Sequence, residues 1–247
     1  MNLVQSIAIT GAGGKVPIIA EIKRIIPHLS FTEKDDRDAG WLAMIYQRGG
    51  AAGVSLVTEA RYFGGQPEKD LPLVLKDSSL PVLIKDFIIR EKQVDYYYNL
   101  VKAVDGTAVA RTTLLLISHL AKEALPSLLA RTHELGMTAL VETRSIADLA
   151  WLDRGDPPRL IGVNNKDIDR LEVGQDVLKI NWGIIQQYRK KAGQAVIISQ
   201  SAHHSAADIR YSIDAGADAV LVGTAVMTAA DPEAAVAGFV NAFGGAK

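Results

Sequence analysis

The sequence contains no cysteine, which excludes disulfides, thiolate catalysis and Cys-ligated metals, and this composition suits a reducing compartment. Aromatic residues are also scarce, at 6% against 48% hydrophobic residues, so we expect an aliphatic core. A formal net charge of −1 gives no reason to expect a nucleic-acid partner or an anionic membrane surface. No apolar run approaches the ~18 residues of a membrane span, and the first residues lack a secretory-signal pattern. These features predict a soluble, cytoplasmic protein.

What the sequence does have is an alternation of eight strand-like runs with helix-like segments. The runs are Ile18–Lys23, Gly53–Val57, Val82–Lys85, Thr112–Ile117, Thr138–Glu142, Leu160–Asn164, Ala195–Ser199 and Ala219–Gly223. Such alternation is typical of parallel strands joined by right-handed crossovers, and eight units favour closure into a (β/α)8 TIM barrel. The length of 247 residues is that of one such domain, covering 1–247 with a short N-terminal extension over 1–15.

Two further expectations concern the connections between these runs. His119–Leu135 is predicted to form one helix, ended by Gly136. A doubly wound open sheet is the competing architecture, but it usually carries a glycine-rich nucleotide turn after its first strand. Here Gly11–Gly14 precedes the first strand, so we interpret it as a flexible entry segment and not as a phosphate loop, and we favour the barrel.

Four of the eight runs end in a charged or amide residue. They are the runs that end at Lys23, Lys85, Glu142 and Asn164. A strand that is buried on both faces has no packing use for such groups, because burying them costs several kcal/mol unless they are paired or face a cavity. Parallel barrels build their active sites at the carboxyl ends of the strands. The sequence therefore predicts an active site at that rim.

The charged residues among these strand ends are the candidate catalytic groups. Glu21 and Lys23 are two positions apart on one strand and so project to the same face, where a purely structural ion pair is the simpler alternative. Lys85 follows apolar residues, and a lysine at this depth suits a general acid or an amine nucleophile. Together with Glu142, these residues predict proton-transfer chemistry rather than packing.

The candidate substrate-binding residues follow the later strands. Asn164 offers amide donors and acceptors, whereas Lys166 is equally explained as a solvated loop charge. Ser201 and Thr224 follow the seventh and eighth strands, where barrels commonly hold phosphate. His28 follows the first strand and is a further candidate for the pocket. His203-His204 has no acidic or histidine partner at a metal-ligand spacing, so we predict no metal site.

Six motifs of this chain resemble the strand-end motifs of the indole-3-glycerol phosphate synthase family. They are IIAEIKR, VSLVTEARYFGG, PVLIKDFI, LVET, IGVNNKD and VLVGTAVM, in order from about residue 16 to the C-terminus. The resemblance implies closure of 1-(2-carboxyphenylamino)-1-deoxyribulose 5-phosphate to an indole in tryptophan biosynthesis, with loss of CO₂ and water and without cofactor or metal. It implies that Lys85 is the general acid and Glu142 an acid/base group. Lys23 and Glu21 would assist dehydration, Asn164 would position the substrate, and Gly223 with Thr224 would hold phosphate.

Several residues depart from the family pattern. Ile26 and His28 replace two serines after the first strand, which leaves a protonated His28 to help hold the anion. Gln200-Ser201-Ala202 replaces Glu-Ser-Gly, and Asn164-Asn165-Lys166 replaces Asn-x-Arg. The family's N-terminal helical extension, which covers the active-site mouth, is much shorter here.

Three interpretations therefore remain open. The chain is a divergent synthase, a barrel lyase or isomerase acting on another phosphorylated or anilino substrate, or a non-catalytic relative that serves as a binding partner. Retention of all four charged catalytic candidates argues against the last, because an idle pocket gains nothing by burying them. The expected ligand is a small phosphorylated molecule, and the expected state is a monomer or weak homodimer.

Overall fold

Eight parallel strands form a closed barrel in the computed structural model, which describes residues 1–27, 34–148, 158–165, 178–191 and 193–243. Each strand pairs with the next in chain order, and the eighth pairs with the first. The strands are β1 Ile18–Ile22, β2 Gly53–Val57, β3 Val82–Lys85, β4 Thr112–Ile117, β5 Thr138–Thr143, β6 Leu160–Asn164, β7 Val196–Gln200 and β8 Ala219–Val222. The barrel predicted from the sequence is confirmed.

Helices lie between the strands and surround the barrel. In chain order they are α1 Leu3–Ala12, α2 Ala39–Arg48, α3 Ala60–Phe63, α4 Pro67–Asp77, α5 Glu91–Val104, α6 Ser118–Ala121, α7 Leu125–Glu134, α8 Leu178–Lys191, α9 Ala206–Asp214, α10 Thr224–Met227 and α11 Pro232–Val240. Short 3-10 turns span Gly106–Arg111, Lys122–Ala124 and Ile146–Asp148. Within the described ranges, no helix is both long enough and apolar enough to cross a membrane.

The alternation of side chains along each strand produces two hydrophobic layers. Inward-facing residues such as Ile19, Leu83 and Leu140 pack together inside the barrel. Their neighbours one position along, such as Ile18 and Ile84, pack instead against the surrounding helices. The interior is filled mainly by aliphatic side chains, and the charged residues on the inward face, such as Lys85 and Glu142, lie toward the carboxyl ends of the strands.

In the N-terminal extension, residues 3 to 12 form the helix α1, so the first two residues of the segment Gly11–Gly14, predicted to be flexible, belong to a helix. Leu3 and Ile7 are buried in the interior cluster, and the Ser6 hydroxyl donates to the Ala52 carbonyl at 2.6 Å. Ala52 immediately precedes β2, so α1 contacts the amino end of the barrel, opposite the rim that carries the charged residues. The helix therefore supports the barrel floor.

The prediction of one helix over His119–Leu135 is wrong, because the segment divides into α6, a 3-10 turn and α7. Lys122 has a φ of 48°, which no α-helix accommodates. Pro126 lies in the first turn of α7, where the N–H group that proline lacks would have no helical partner. In the middle of one continuous helix, Pro126 would remove a backbone hydrogen bond.

Candidate active site

Two lysines from different strands share one buried carboxylate at the carboxyl rim. The Nζ of Lys85 lies 2.9 Å from Glu21 Oε2, and the Nζ of Lys23 lies 3.3 Å from Glu21 Oε1. Glu21 and Lys23 are each 2% exposed, so water screens this array weakly. Gly223 makes room for the carboxylate, since a Cβ at that position would lie 2.5 Å from Glu21 Oε1. The array places two ammonium groups where a developing oxyanion can be protonated or stabilised.

A second carboxylate lies across the rim at the end of β5. Glu142 is 2% exposed, and its Oε1 accepts a hydrogen bond from Asn164 Nδ2 at 3.1 Å. Asn164 ends β6, the strand next to β5, so the sheet register itself brings the two side chains together. This hydrogen bond fixes the direction of a carboxylate that can exchange protons with a bound ligand.

One cavity collects three of the four predicted acid/base groups and has about 360 Å³ of space, including its open mouth. Lys23, Lys85, Glu142 and Asn164 all line it. The remaining lining residues are Val57, Glu59, Phe63, Asp86, Phe87, Leu115 and Ile117. The sequence analysis did not assign the apolar members of this wall, although their inward positions at strand ends were a usable signal. An apolar wall beside charged groups suits a ligand with an aromatic ring and a reacting polar centre.

A second cavity, with about 320 Å³ of space, adjoins the first on the side of β7 and β8. It is lined by Glu21, Lys23, Ser201, Ala202, His203, His204, Leu221, Gly223 and Thr224. Lys23 lines both cavities, so it lies where they meet. The hydroxyl-bearing residues and one buried cation make this cavity suited to an anionic group such as phosphate.

The loop after β7 is held in an uncommon backbone conformation. Ser201 and Ala202 have φ values of 65° and 62°, in the left-handed region that favours glycine. Asn165 stabilises this turn, since its Nδ2 lies 3.0 Å from the Ser201 carbonyl and 3.1 Å from Ser199 Oγ.

Replacing Ala202 with glycine is therefore expected to stabilise the protein by about 0.5–1 kcal/mol. Relief of the left-handed strain, about 1–2 kcal/mol, outweighs the greater freedom that glycine gives the unfolded chain. Ala215→Gly is the matched control, because Ala215 is also buried but has an ordinary φ of −68°. Chemical denaturation should show that Ala215→Gly lowers the free energy of unfolding. Equal destabilisation by both substitutions would contradict the strain argument.

Gln200 lies between the two cavities but lines neither. Its Cα pairs with Asn164 on one side and Leu221 on the other. The side chain crosses Gly162, where an added Cβ would lie 1.9 Å from Gln200 Nε2. Gln200 is fully buried, and among the described residues neither polar atom of its amide has a hydrogen-bond partner. Burying a neutral amide in that position costs far less free energy than burying a carboxylate would.

The segment after β1 is anchored by a buried ion pair that the sequence analysis did not find. Arg24 Nη2 lies 2.6 Å from Asp70 Oδ1, and Arg24 Nη1 donates to the Asp35 carbonyl at 2.7 Å. Burial alone would raise the pKa of Asp35, but hydrogen bonds and charge from Arg37 lower it below its usual value. Arg37 Nη2 also donates to the Met227 carbonyl at 2.7 Å, which links this segment to the chain after β8.

The predicted site residues thus fall into three groups. Glu21, Lys23, Lys85, Glu142 and Asn164 lie around the first cavity or at its junction with the second. Ser201, Gly223 and Thr224 line the second cavity. His28 and Lys166 lie outside the described residues. Within the described part of the chain, no group of three or more His, Cys, Asp or Glu side chains is placed to hold a metal ion.

The fold and the rim together define a class: a (β/α)8 barrel with a buried acid/base array beside a cavity suited to an anion. Comparison with known proteins narrows this class, since the profile of indole-3-glycerol phosphate synthase matches residues 2–239. The chain belongs to the indole-3-glycerol phosphate synthase family. The family is one of carboxy-lyases, as the sequence motifs predicted.

Individual relatives support this assignment over most of their length. The indole-3-glycerol phosphate synthase of Mycobacterium sp. (strain KMS) is 39% identical over 230 residues, covering 92% of this chain and 77% of the relative. That of Mycolicibacterium smegmatis is 38% identical over 245 residues, covering 98% and 81%. A solved structure, orotidine 5'-monophosphate decarboxylase from Sulfolobus solfataricus, matches with a TM-score of 0.63. The match covers 92% of this chain and 97% of the solved chain, but at 13% sequence identity it supports the fold alone.

Proposed function

We propose that this protein is an indole-3-glycerol phosphate synthase, which closes 1-(2-carboxyphenylamino)-1-deoxyribulose 5-phosphate to an indole with release of CO₂ and water. The observation that carries the proposal is the cavity in which Lys85, Lys23 and Glu142 face an apolar wall. An aromatic ring fits the wall, and the reacting ketone then lies among the proton donors. The adjoining cavity, with Ser201 and Thr224, accommodates the phosphate.

The first chemical step is assigned to Lys85. Attack of the ring carbon on the ketone carbon forms the new C–C bond and places negative charge on the ketone oxygen. Lys85 gives that oxygen a proton, which yields a hydroxyl group. Loss of CO₂ from the same ring carbon returns its bonding electrons to the ring and restores aromaticity. Glu21, 2.9 Å from Lys85 Nζ, keeps the ammonium protonated and directed before the step.

The later steps are assigned to Lys23 and Glu142. The hydroxyl leaves as water with a proton from Lys23, and Glu142 takes a proton from the adjacent CH₂ group to complete the indole. Asn164 holds Glu142 in position through its 3.1 Å hydrogen bond. Acid and base on opposite sides of one cavity suit a dehydration, which requires one proton to be delivered and another removed.

The phosphate is assigned to Gly223, Thr224 and Ser201, with Lys23 as the nearest buried cation. His28 and Lys166 are proposed as further ligands on the basis of sequence alone. Gln200 is likewise proposed from the sequence alone, because its buried side chain lines neither cavity.

A turnover assay tests this function directly. The purified chain is mixed with 1-(2-carboxyphenylamino)-1-deoxyribulose 5-phosphate, and the indole product is followed by its fluorescence. We expect saturable turnover and release of one CO₂ per indole formed. Binding of inorganic phosphate without any turnover would instead favour a barrel lyase or isomerase with a different substrate.

A further inference from the structure

The turn that follows Lys85 is held by a tyrosine outside the proposed catalytic groups. Asp86, the next residue, accepts a hydrogen bond from its neighbour Phe87 at Oδ1 and one from the Tyr97 hydroxyl at Oδ2, each at 2.7 Å. Asp86 and Phe87 line the same cavity as Lys85, whereas Tyr97 lies behind them and is 1% exposed. The contact therefore reaches the cavity wall from the outer side of the barrel.

The same tyrosine is connected to the backbone of Lys85 through Thr58. The two hydroxyl oxygens are 2.8 Å apart, and since the Tyr97 proton is given to Asp86, Thr58 is the donor between them. The Lys85 carbonyl accepts the Thr58 N–H at 2.9 Å and lies 3.2 Å from Thr58 Oγ1. Tyr97 is thus linked to the residue after Lys85 and, through Thr58, to Lys85 itself.

Helix α5 supports this turn at a second point, one helical turn away. Gln93 Nε2 donates to the Phe87 carbonyl at 2.9 Å, and Gln93 Oε1 accepts the N–H groups of Ile89 and Arg90 at 2.9 and 3.1 Å. Gln93 and Tyr97 are four positions apart and so lie on one face of the helix. Two side chains of α5 therefore fix the segment from Asp86 to Arg90.

We propose that Tyr97, acting through Asp86 and Thr58, is a positioning residue that holds the Lys85 ammonium in its reactive place. The proposal rests on the proposed function for the role of Lys85, but the hydrogen-bond network is independent of it. Lys85 Nζ is held 2.9 Å from Glu21 by a strand end whose carbonyl and following side chain are both in the network. A small displacement of that strand end moves the ammonium relative to the substrate, and misplacement of about 1 Å can cost up to about 10²-fold in rate.

Tyr97 is suited to this role over the whole ordinary pH range. Burial raises the pKa of its hydroxyl, and the charge of Asp86 and the hydrogen bond to it raise the pKa further. The hydroxyl therefore stays protonated and continues to donate to Asp86.

The test compares two tyrosines that are adjacent in sequence. Tyr97→Phe keeps the buried ring and removes only the hydroxyl, so we expect kcat to fall about tenfold with KM changed less than about twofold. Tyr96→Phe makes the same chemical change on a residue that is 39% exposed and bonded to Glu68, and it should leave kcat unchanged. A Tyr97→Phe variant that melts earlier but turns over at the parent rate would overturn the proposal.

A double-mutant cycle separates positioning from general destabilisation. Thr58→Val removes the other hydroxyl at nearly constant shape and should lower kcat about threefold. Because both side chains act through one network, the double variant should be about as slow as Tyr97→Phe alone. If the losses in kcat were fully additive, the two hydroxyl groups would not act on Lys85 through one network. Should Tyr97→Phe not fold, Thr58→Val carries the same test alone.

An observation that needs no turnover distinguishes this inference from the proposed function. The ¹⁵N-bound protons of the Lys85 ammonium are observed by NMR, with the signal assigned by its loss in Lys85→Met. Tyr97→Phe should shift this signal, and Tyr96→Phe should not. If the parent shows no turnover but the shift occurs, the proposed function fails while the positioning stands. An unchanged signal would refute the positioning, whatever the activity.

Discussion

Lys85→Met is expected to lower kcat on 1-(2-carboxyphenylamino)-1-deoxyribulose 5-phosphate by about 10²- to 10⁴-fold, the usual range for loss of a general acid. Methionine preserves the length of the side chain but removes the proton that the ketone oxygen needs as the ring closes. Because that interaction is made chiefly in the transition state, KM should change little. A loss of 10²-fold corresponds to about 3 kcal/mol in the barrier.

The fold should tolerate this substitution. Glu21 keeps Lys23 as a partner at 3.3 Å, so its buried carboxylate is not left without a cation. Lys92→Met, on the exposed side of α5, is the matched control and should turn over like the parent. Steady-state kinetics by indole fluorescence, together with circular dichroism, gives the comparison. Turnover at the parent rate by a folded Lys85→Met protein would exclude Lys85 as the acid.

Glu142→Gln is expected to lower kcat by about 10²-fold while preserving the site's shape. The glutamine carbonyl can still accept the hydrogen bond that Asn164 Nδ2 gives to Glu142 Oε1 at 3.1 Å. What is lost is the capacity to take up a proton, so the dehydration should slow more than ring closure. Single-turnover experiments should then show CO₂ released before the indole appears.

The control for this variant is Glu134→Gln, at the end of α7, where the carboxylate is 67% exposed and paired with Arg131. An exposed ion pair contributes little to stability, about 0–1 kcal/mol, and this one lies outside both cavities. Its kcat should equal that of the parent. If Glu142→Gln released CO₂ and indole together at the parent rate, Glu142 would have no part in proton transfer.

Two unusual features lie near the cavity proposed for phosphate, which Lys85 and Glu142 do not line. Ala202 is strained by its φ of 62°, and Gln200 brings a buried neutral amide to the end of β7. The catalytic rate and the affinity for substrate should therefore depend on different residues in this chain. Variants of Lys85 and Glu142 should act on kcat, and variants around Ser201 and Thr224 should act on substrate affinity.

The barrel could be predicted from the sequence alone, and so could the rim at which the candidate catalytic residues lie. Aliphatic and β-branched runs and the helix-like segments between them are local signals, and parallel crossovers leave eight such units few topologies. Polar residues at the ends of Val82–Lys85 and Leu160–Asn164 were informative because a doubly buried strand otherwise excludes them. The family motifs carry the same residues.

The contacts between distant side chains, by contrast, could be read only from the tertiary structure. Lys85 and Glu21 are 64 positions apart, and their contact depends on how the register of each strand pair accumulates around the closed barrel. The same closure placed Gln200 over Gly162, outside both cavities, and brought Tyr97 of α5 to the turn after Lys85. No local pattern encodes these contacts. They arise because closing the sheet fixes the relative height of every strand, and packing then determines which helix side chains reach the rim.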